Sequence, residues 1–529
     1  CEEMSLIDSS LLTDPVVIII GLLVGLCLYF EYRFSYWRKR GVPCVKPSFI
    51  FGNFKEVLFQ KVCVGEFFQN MYNKGEGKPF VGIYVFGSPA LVIRDPELIK
   101  TVLVKDFNIF FDRKVMSNEK SDPLSKNLFL LKGAQWRYLR YKMTPTFTAL
   151  RLKQMFPLMQ KTATQFGDCL QNIVNSKKST EMKETAAKYA TDVITTCAFG
   201  IESNCLSDPK AEFREFGRQI FDFTVYRSFE FMSMFMLPLA VKYLHVQFLS
   251  KHATEFLRKA FWETIHTREE QKIQREDFMD LLIKLKNKDH IEHDKTDEDL
   301  KNYSDHEVSN LKDLFEFEGD WLVAQAAIFF TAGFESNAST TSFTLYHLAM
   351  KPHIQDKLRA EIQDTLSKNN GQVTYDVVRT MPYLHMVVSE TIRKYPPLSI
   401  LDRVANVDYK IPGTDIVLEK GTPIYIPLLG IHNDPKVWDN PEDYDPERFN
   451  EKNKRGRHPF MYLPFGEGPK FCIGKNFGLL AVKVGLVNVL SRFEVSPCED
   501  TPKSLKLNPR AMILAPEGGI PLKFSRIKA

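Results

Sequence analysis

The residues best suited to chemistry lie in one short run, residues 464–474, Pro-Phe-Gly-Glu-Gly-Pro-Lys-Phe-Cys-Ile-Gly. Gly466, Gly468 and Pro469 cannot continue a helix, so the run predicts an irregular loop of fixed shape. A helical pattern starts directly after Cys472, with Phe477, Leu480, Ala481, Val484 and Val487 at turn spacing. Cys472 is therefore expected at a helix N-terminus, where unpaired N–H groups and the dipole favour a thiolate. Lys470 adds a nearby positive charge. A thiolate held in a Gly-rich loop meets the requirement for an axial ligand of haem iron. An inert buried cysteine is the alternative for any single Cys. The nine cysteines include no Cys-x-x-Cys pair, which argues against a zinc ribbon, a redox dithiol and a disulfide scaffold.

Four further groupings have spacings that could serve such a centre. Ala332-Gly333-Phe334-Glu335-Ser336 lies inside a long apolar stretch, residues 321–350. Ala332 and Gly333 let a backbone approach a flat cofactor, and Gly333 can interrupt or widen the helix. Glu335 beside Ser336 offers a proton relay. Glu390 and Arg393, at i and i+3, share one helix face, and Arg448 follows in Pro446-Glu447-Arg448-Phe449. Trp136 and Arg140, at i and i+4, align two donors toward an anion. Residues 229–239, FEFMSMFMLPL, read either as core or as a membrane-dipping loop guarding a channel. His290 and His293 sit in a charged stretch without a third ligand, and His432 reads as structural.

These groups need elements to hold them. Residues 80–93 predict a β-hairpin, helical patterning dominates from about 95 to 400, and short strands return after Pro396. The fold class is therefore mainly α with a small β portion. Residues 16–30, VVIIIGLLVGLCLYF, are uncharged and apolar, and bases at 33–40 follow them. The stretch reads as a signal anchor, residues 1–34 with the span at about 12–32 and Met4 the first expected start. Gly41, Pro43 and Pro47 make residues 35–50 a stiff hinge, and 51–529 the catalytic body. A charge-dense insertion lies at about 286–318. With 70 basic and 65 acidic residues the chain is too balanced for nucleic-acid binding by charge alone. The 42 phenylalanines suit either a filled core or a large apolar cavity.

Together these motifs, in this order, resemble the cytochrome P450 superfamily. Locally YWRKRGVP, FFTAGFE and PFGEGPKFCIG are most similar to its insect microsomal branch, whose members often oxidise xenobiotics. The resemblance implies a single large haem domain behind a membrane anchor, and haem b as cofactor with Cys472 as the iron ligand. It implies further that Phe465 and Gly474 shape the haem loop. Trp136, Arg140, Arg403 and Lys470 would meet the propionates, with Arg113 a weaker candidate. Lys470 stands where arginine is usual, and Ser336 where threonine is usual. Glu390, Arg393 and Arg448 are assigned a structural clamp. Ala332, Gly333, Glu335 and Ser336 would form the oxygen-activating site. The substrate pocket is expected at Phe329, Phe330, Leu398, Ile400, Leu401, Met512 and Ile513. The implied reaction inserts one atom of O2 into an apolar small molecule. Electrons would come from NADPH through cytochrome P450 reductase, with cytochrome b5 as a second donor, at the cytosolic face of the endoplasmic reticulum membrane. Arg137, Lys142, Lys454 and Lys475 are the expected reductase-docking bases. Two readings stay open beside it: a haem-thiolate isomerase or dehydratase, and a membrane-tethered haem- or ligand-binding protein without turnover.

Overall fold

A computed structural model describes residues 15–221, 224–237, 241, 243, 245–287 and 318–527. His290, His293 and nearly all of the charged insertion lie outside the described residues.

The apolar N-terminal stretch forms helix α1, Pro15–Phe34, about 30 Å long at 1.5 Å per residue. The window of it long and apolar enough to cross a membrane buries nothing against the rest of the chain. The segment after it packs on the body at Trp37. Trp37 is fully buried, its Nε1 donates to Ile83 O (3.0 Å), and Tyr84 OH donates to Phe34 O (2.7 Å). Residues 35–50 therefore lie against the body, because an aromatic buried at the end of the anchor costs more to pull out than the prolines save.

Strands β1 (Phe80–Val85) and β2 (Ser88–Ile93) form the expected hairpin, turning at Phe86 and Gly87 with Phe86 at φ 53°. Helices α2 (Gly133–Met143), α3 (Ala149–Asn175), α4 (Met182–Ala198), α5 (Glu212–Ile220), α6 (Val225–Met236) and α7 (Lys251–Gln271) follow. Helix α8, Asp320–Met350, runs through the centre of the molecule against α4. It is apolar all round, which is why it is buried on nearly every side. It does not break or widen at Ala332–Gly333, contrary to the sequence expectation. A Cβ on Gly333 would lie 2.6 Å from Ile194 Cδ1, so this glycine serves close packing of α8 on α4.

Helix α9 (Pro382–Lys394) leads to β3 (Ile400–Val404) and β4 (Pro423–Pro427), which complete a four-stranded sheet in the order β1-β2-β4-β3. Only the β2–β4 pair is parallel, with Leu91 opposite Ile424. Helix α10 (Lys475–Leu490) carries the Cys loop at its start, and β5 (Phe493–Pro497) pairs with β6 (Pro521–Arg526) near the C-terminus.

Residues 229–236 lie in α6, not in a loop, and Phe231, Met232, Met234, Phe235 and Met236 are buried there. The helix is fixed from inside. Arg227 Nη1 donates to Glu230 (2.6 Å) and to Gln247 O (3.0 Å), and Met116 N donates to Met234 O (2.8 Å). Pro238 and Leu239 lie outside the described residues.

Candidate active site

The Cys loop has the fixed shape its glycines predict. Gly466 and Gly468 both lie at φ 71°, and a Cβ on Gly468 would sit 2.0 Å from Leu103 O, so no other residue fits there. Cys472 N donates to Phe465 O (2.8 Å), and Gly474 is the N-cap of α10. Burial pushes the Cys472 thiol up, and the Gly474 N–H with the charges of Arg140 and Arg113 offsets only part of that rise.

The sulfur faces a cavity of about 340 Å³ lined mostly by apolar side chains. To the same lining α8 contributes Ala332, Gly333, Ser336, Asn337 and Thr340, residues that share one face at helical spacing. Ser336 Oγ donates to Ala332 O (2.7 Å). Glu335 is not in this lining. Its carboxylate points at α4, where Lys183 Nζ donates to it at 2.6 Å with both side chains largely buried. The structure thus separates the acid from the hydroxyl that the sequence paired with it, since neighbours on a helix stand about 100° apart.

Phe329, Leu398, Leu401, Met512 and Ile513 line the cavity as expected. Phe330 and Ile400 do not. Phe330 packs against Phe199, Phe213 and Phe334, and Ile400 sits in the sheet opposite Pro427. Both errors are ones of phase: a residue one step along a helix or strand faces another way. Asn337 and Thr340 were missed, although their spacing from Ser336 was visible. Phe147, Ile194 and Phe477 were also missed, and only the packing of three separate segments brings them here.

At one side of the cavity the cations collect. Trp136, Arg140, Arg113, Phe465, Lys470 and Gly474 all line it, with Lys470 Nζ 4.0 Å from the Trp136 ring centre. Arg140 Nη1 donates to Phe471 O (3.0 Å), and Arg113 Nη1 donates to Phe129 O (2.9 Å). Arg403, on β3, is buried beside them. Lys470 Nζ and Arg403 Nε are buried with no hydrogen-bond acceptor among the described residues. Burial and Arg113 push the Arg403 guanidinium down to about 9, and burial with Arg113 and Arg403 lowers the Lys470 ammonium well below the lysine range. Such crowding of desolvated cations calls for an anion.

Behind the loop lies the expected clamp. Arg393 Nε and Nη2 donate to the two oxygens of Glu390 at 2.7 and 2.9 Å, and both side chains are fully buried. Arg448 approaches Glu390 at 3.4 Å and donates through Nη2 to Asn440 O (2.8 Å). Arg393 Nη1 also donates to His432 O (2.7 Å), and Leu463 N donates to His432 Nε2 (3.0 Å). Burial holds His432 down at about 3, so its ring stays neutral and accepts that bond. The clamp is thereby wired to the start of the Cys loop. A larger surface cleft of about 1020 Å³ around Trp438 and Arg457 is polar and shares no lining residue with the cavity.

The cytochrome P450 family model matches residues 42–524. The chain belongs to the cytochrome P450 family. It is 54% identical to cytochrome P450 6k1 of Blattella germanica, over 99% of each chain. It is 40% identical to the probable cytochrome P450 6g2 of Drosophila melanogaster (97% of this chain, 98% of the other). To cytochrome P450 6a2 of the same species it is 38% identical (97% and 99%). These relatives match the insect branch that the local motifs pointed to, and they make the chain a haem-thiolate monooxygenase. P450 proteins bind haem b through a cysteine thiolate. The residues present fit that group: a sulfur facing an apolar cavity, and buried cationic nitrogens without acceptors where a carboxylate-bearing edge would lie.

Proposed function

We propose that Cys472 is the axial thiolate of the haem iron and that the enzyme oxygenates an apolar small molecule with electrons from NADPH, delivered by a membrane-bound reductase. The observation that carries this reading is that Cys472 and Ser336 of α8 line one largely apolar cavity. When bound there, haem supplies dioxygen binding and activation. The chain's own residues do the rest. The Gly474 N–H would favour negative charge at Sγ, and Lys470, Arg403 and Arg113, with Trp136 and Arg140 beside them, would neutralise the carboxylates of a bound haem. Phe329, Leu398 and Leu401 exclude water and orient an apolar substrate. Ser336 holds a proton at Oγ within the cavity. Glu335, held by Lys183 outside the cavity lining, anchors α8 to α4.

Ser336→Ala is expected to lower the ratio of product to NADPH consumed, by up to about a hundredfold in product rate, with the balance appearing as hydrogen peroxide. Measuring the three quantities together checks this.

The apolar helix α1 supports membrane anchoring, and the bases that follow it support a body on the cytosolic side of the endoplasmic reticulum. The reductase is proposed to dock on bases around the Cys loop. Lys475 and Lys454 are exposed, and Lys142 and Arg137 are half-buried on α2. In a reconstituted system, product formation should require both NADPH and reductase. Lys475→Glu with Lys142→Glu should slow first-electron transfer about tenfold at low ionic strength and less in high salt. A rate independent of both charge and salt would remove these bases from the docking surface.

A further inference from the structure

Between Trp321 and Phe330, helix α8 carries one polar side chain, Gln325. It is fully buried, so its carbonyl and both its N–H groups need partners inside the protein. Two of the three partners lie on the loop that precedes α2. Oε1 accepts from Leu128 N (3.0 Å), and Nε2 donates to Lys126 O (2.8 Å) and to Trp321 O of its own helix (2.8 Å). A backbone N–H only donates and a carbonyl only accepts, so these partners fix which way the amide points. The amide engages the C=O before Asn127 and the N–H after it, as a residue of a parallel strand would.

The loop held in this way is part of the cavity wall. Leu128 and Phe129 both line the Cys472 cavity, whereas Gln325 does not. The loop is stiff within itself. Asn127, also buried, accepts from Phe129 N (3.0 Å) and Leu130 N (3.1 Å) and donates through Nδ2 to Leu124 O (2.8 Å). Beyond Leu128, the Arg113 guanidinium that donates to Phe129 O lies 4.7 Å from the centre of the Phe129 ring. Residues 126–132 lie outside any helix or strand, so no ladder sets their register. The Gln325 amide joins their backbone directly to α8, the helix that carries Ser336.

We propose that Gln325 is a positioning residue for substrate selection: by holding residues 126–128 in register on α8, it sets where Leu128 and Phe129 stand in the cavity. The wall that an apolar substrate meets is thereby fixed relative to Ser336 by a side chain that never touches the substrate. This rests on the reading of the large cavity as the haem and substrate site.

The test uses the full-length holoenzyme and the equilibrium binding of two haem-iron ligands, imidazole and 1-phenylimidazole, followed by the Soret shift. Gln325→Leu keeps the bulk but leaves Leu128 N and Lys126 O without partners. It should weaken 1-phenylimidazole about tenfold, because the aryl ring loses a preorganised wall, and change imidazole by less than about twofold. Leu128→Ala should also weaken the aryl ligand, and in the Gln325→Leu background it should add little further, since both changes act on one stretch of wall. Full additivity of the two substitutions, an equal change for both ligands, or a lowered melting midpoint with the ratio of the two affinities unchanged would each overturn the proposal. If Gln325→Leu does not hold haem, Gln325→Glu, which keeps the acceptor for Leu128 N and loses the amide donors, decides by the same ratio. Failure of the wild-type protein to bind imidazole would instead overturn the reading of the large cavity.

Discussion

Cys472→Ser is expected to abolish the red-shifted Soret band of the reduced carbon-monoxide complex and to reduce NADPH-dependent oxygenation to background. A serine hydroxyl in the same loop stays protonated and neutral, so it cannot supply the anionic, polarisable donor that a thiolate supplies. The other thiol in the cavity lining, Cys197 on α4, does not take over, because burial pushes it far up and keeps it protonated. The loop itself should survive. Its shape is set by Gly466, Gly468 and the Cys472 N–H, which serine keeps. Cys498→Ser is the control: that sulfur sits beside Pro521 O in the C-terminal sheet and does not line the cavity. The control should keep the full band. A red-shifted band persisting in Cys472→Ser would sink the assignment of the ligand.

The second large effect concerns the clamp. Arg393→Ala leaves Glu390 fully buried with its main cation gone, and breaking a buried pair in this way costs about 3–5 kcal/mol. The loss should reach the iron site. Arg393 holds His432 O, and His432 holds Leu463 N one residue before the Cys loop begins. The expected result is a lower denaturant midpoint and a carbon-monoxide spectrum shifted away from the thiolate form as the loop loosens. Glu390→Leu combined with Arg393→Met removes both charges and should recover part of the stability, because the uncompensated charge is the larger cost. If Arg393→Ala matches the wild type in both midpoint and spectrum, the clamp does not act on the loop.

How much of this site was legible beforehand differs from residue to residue. The Cys loop could be read in full, because two glycines, a proline and a helix start within eleven residues leave the backbone few alternatives. The clamp could be anticipated because i,i+3 spacing fixes Glu390 and Arg393 on one face whatever surrounds them. Glu335 could not be placed. Adjacency to Ser336 in sequence is separation on a helix, and its partner, Lys183, stands 152 residues away. Phe330 and Ile400 went astray for the same reason of phase. Residues 229–239 were ambiguous by composition, since an aromatic and Met-rich stretch suits both a core and a membrane surface. Burial of Arg227 with Glu230 inside the fold decided for the core.

The sequence by itself determined the helical body, the hairpin, the apolar N-terminal helix and the shape of the Cys472 loop, because each depends on local spacing or on an uninterrupted apolar run. Tertiary structure decided what surrounds Cys472: the gathering of Lys470, Arg403 and Arg113, and the turning of Glu335 to Lys183. Those contacts join segments up to several hundred residues apart, and packing chooses them by shape and charge that no local pattern carries.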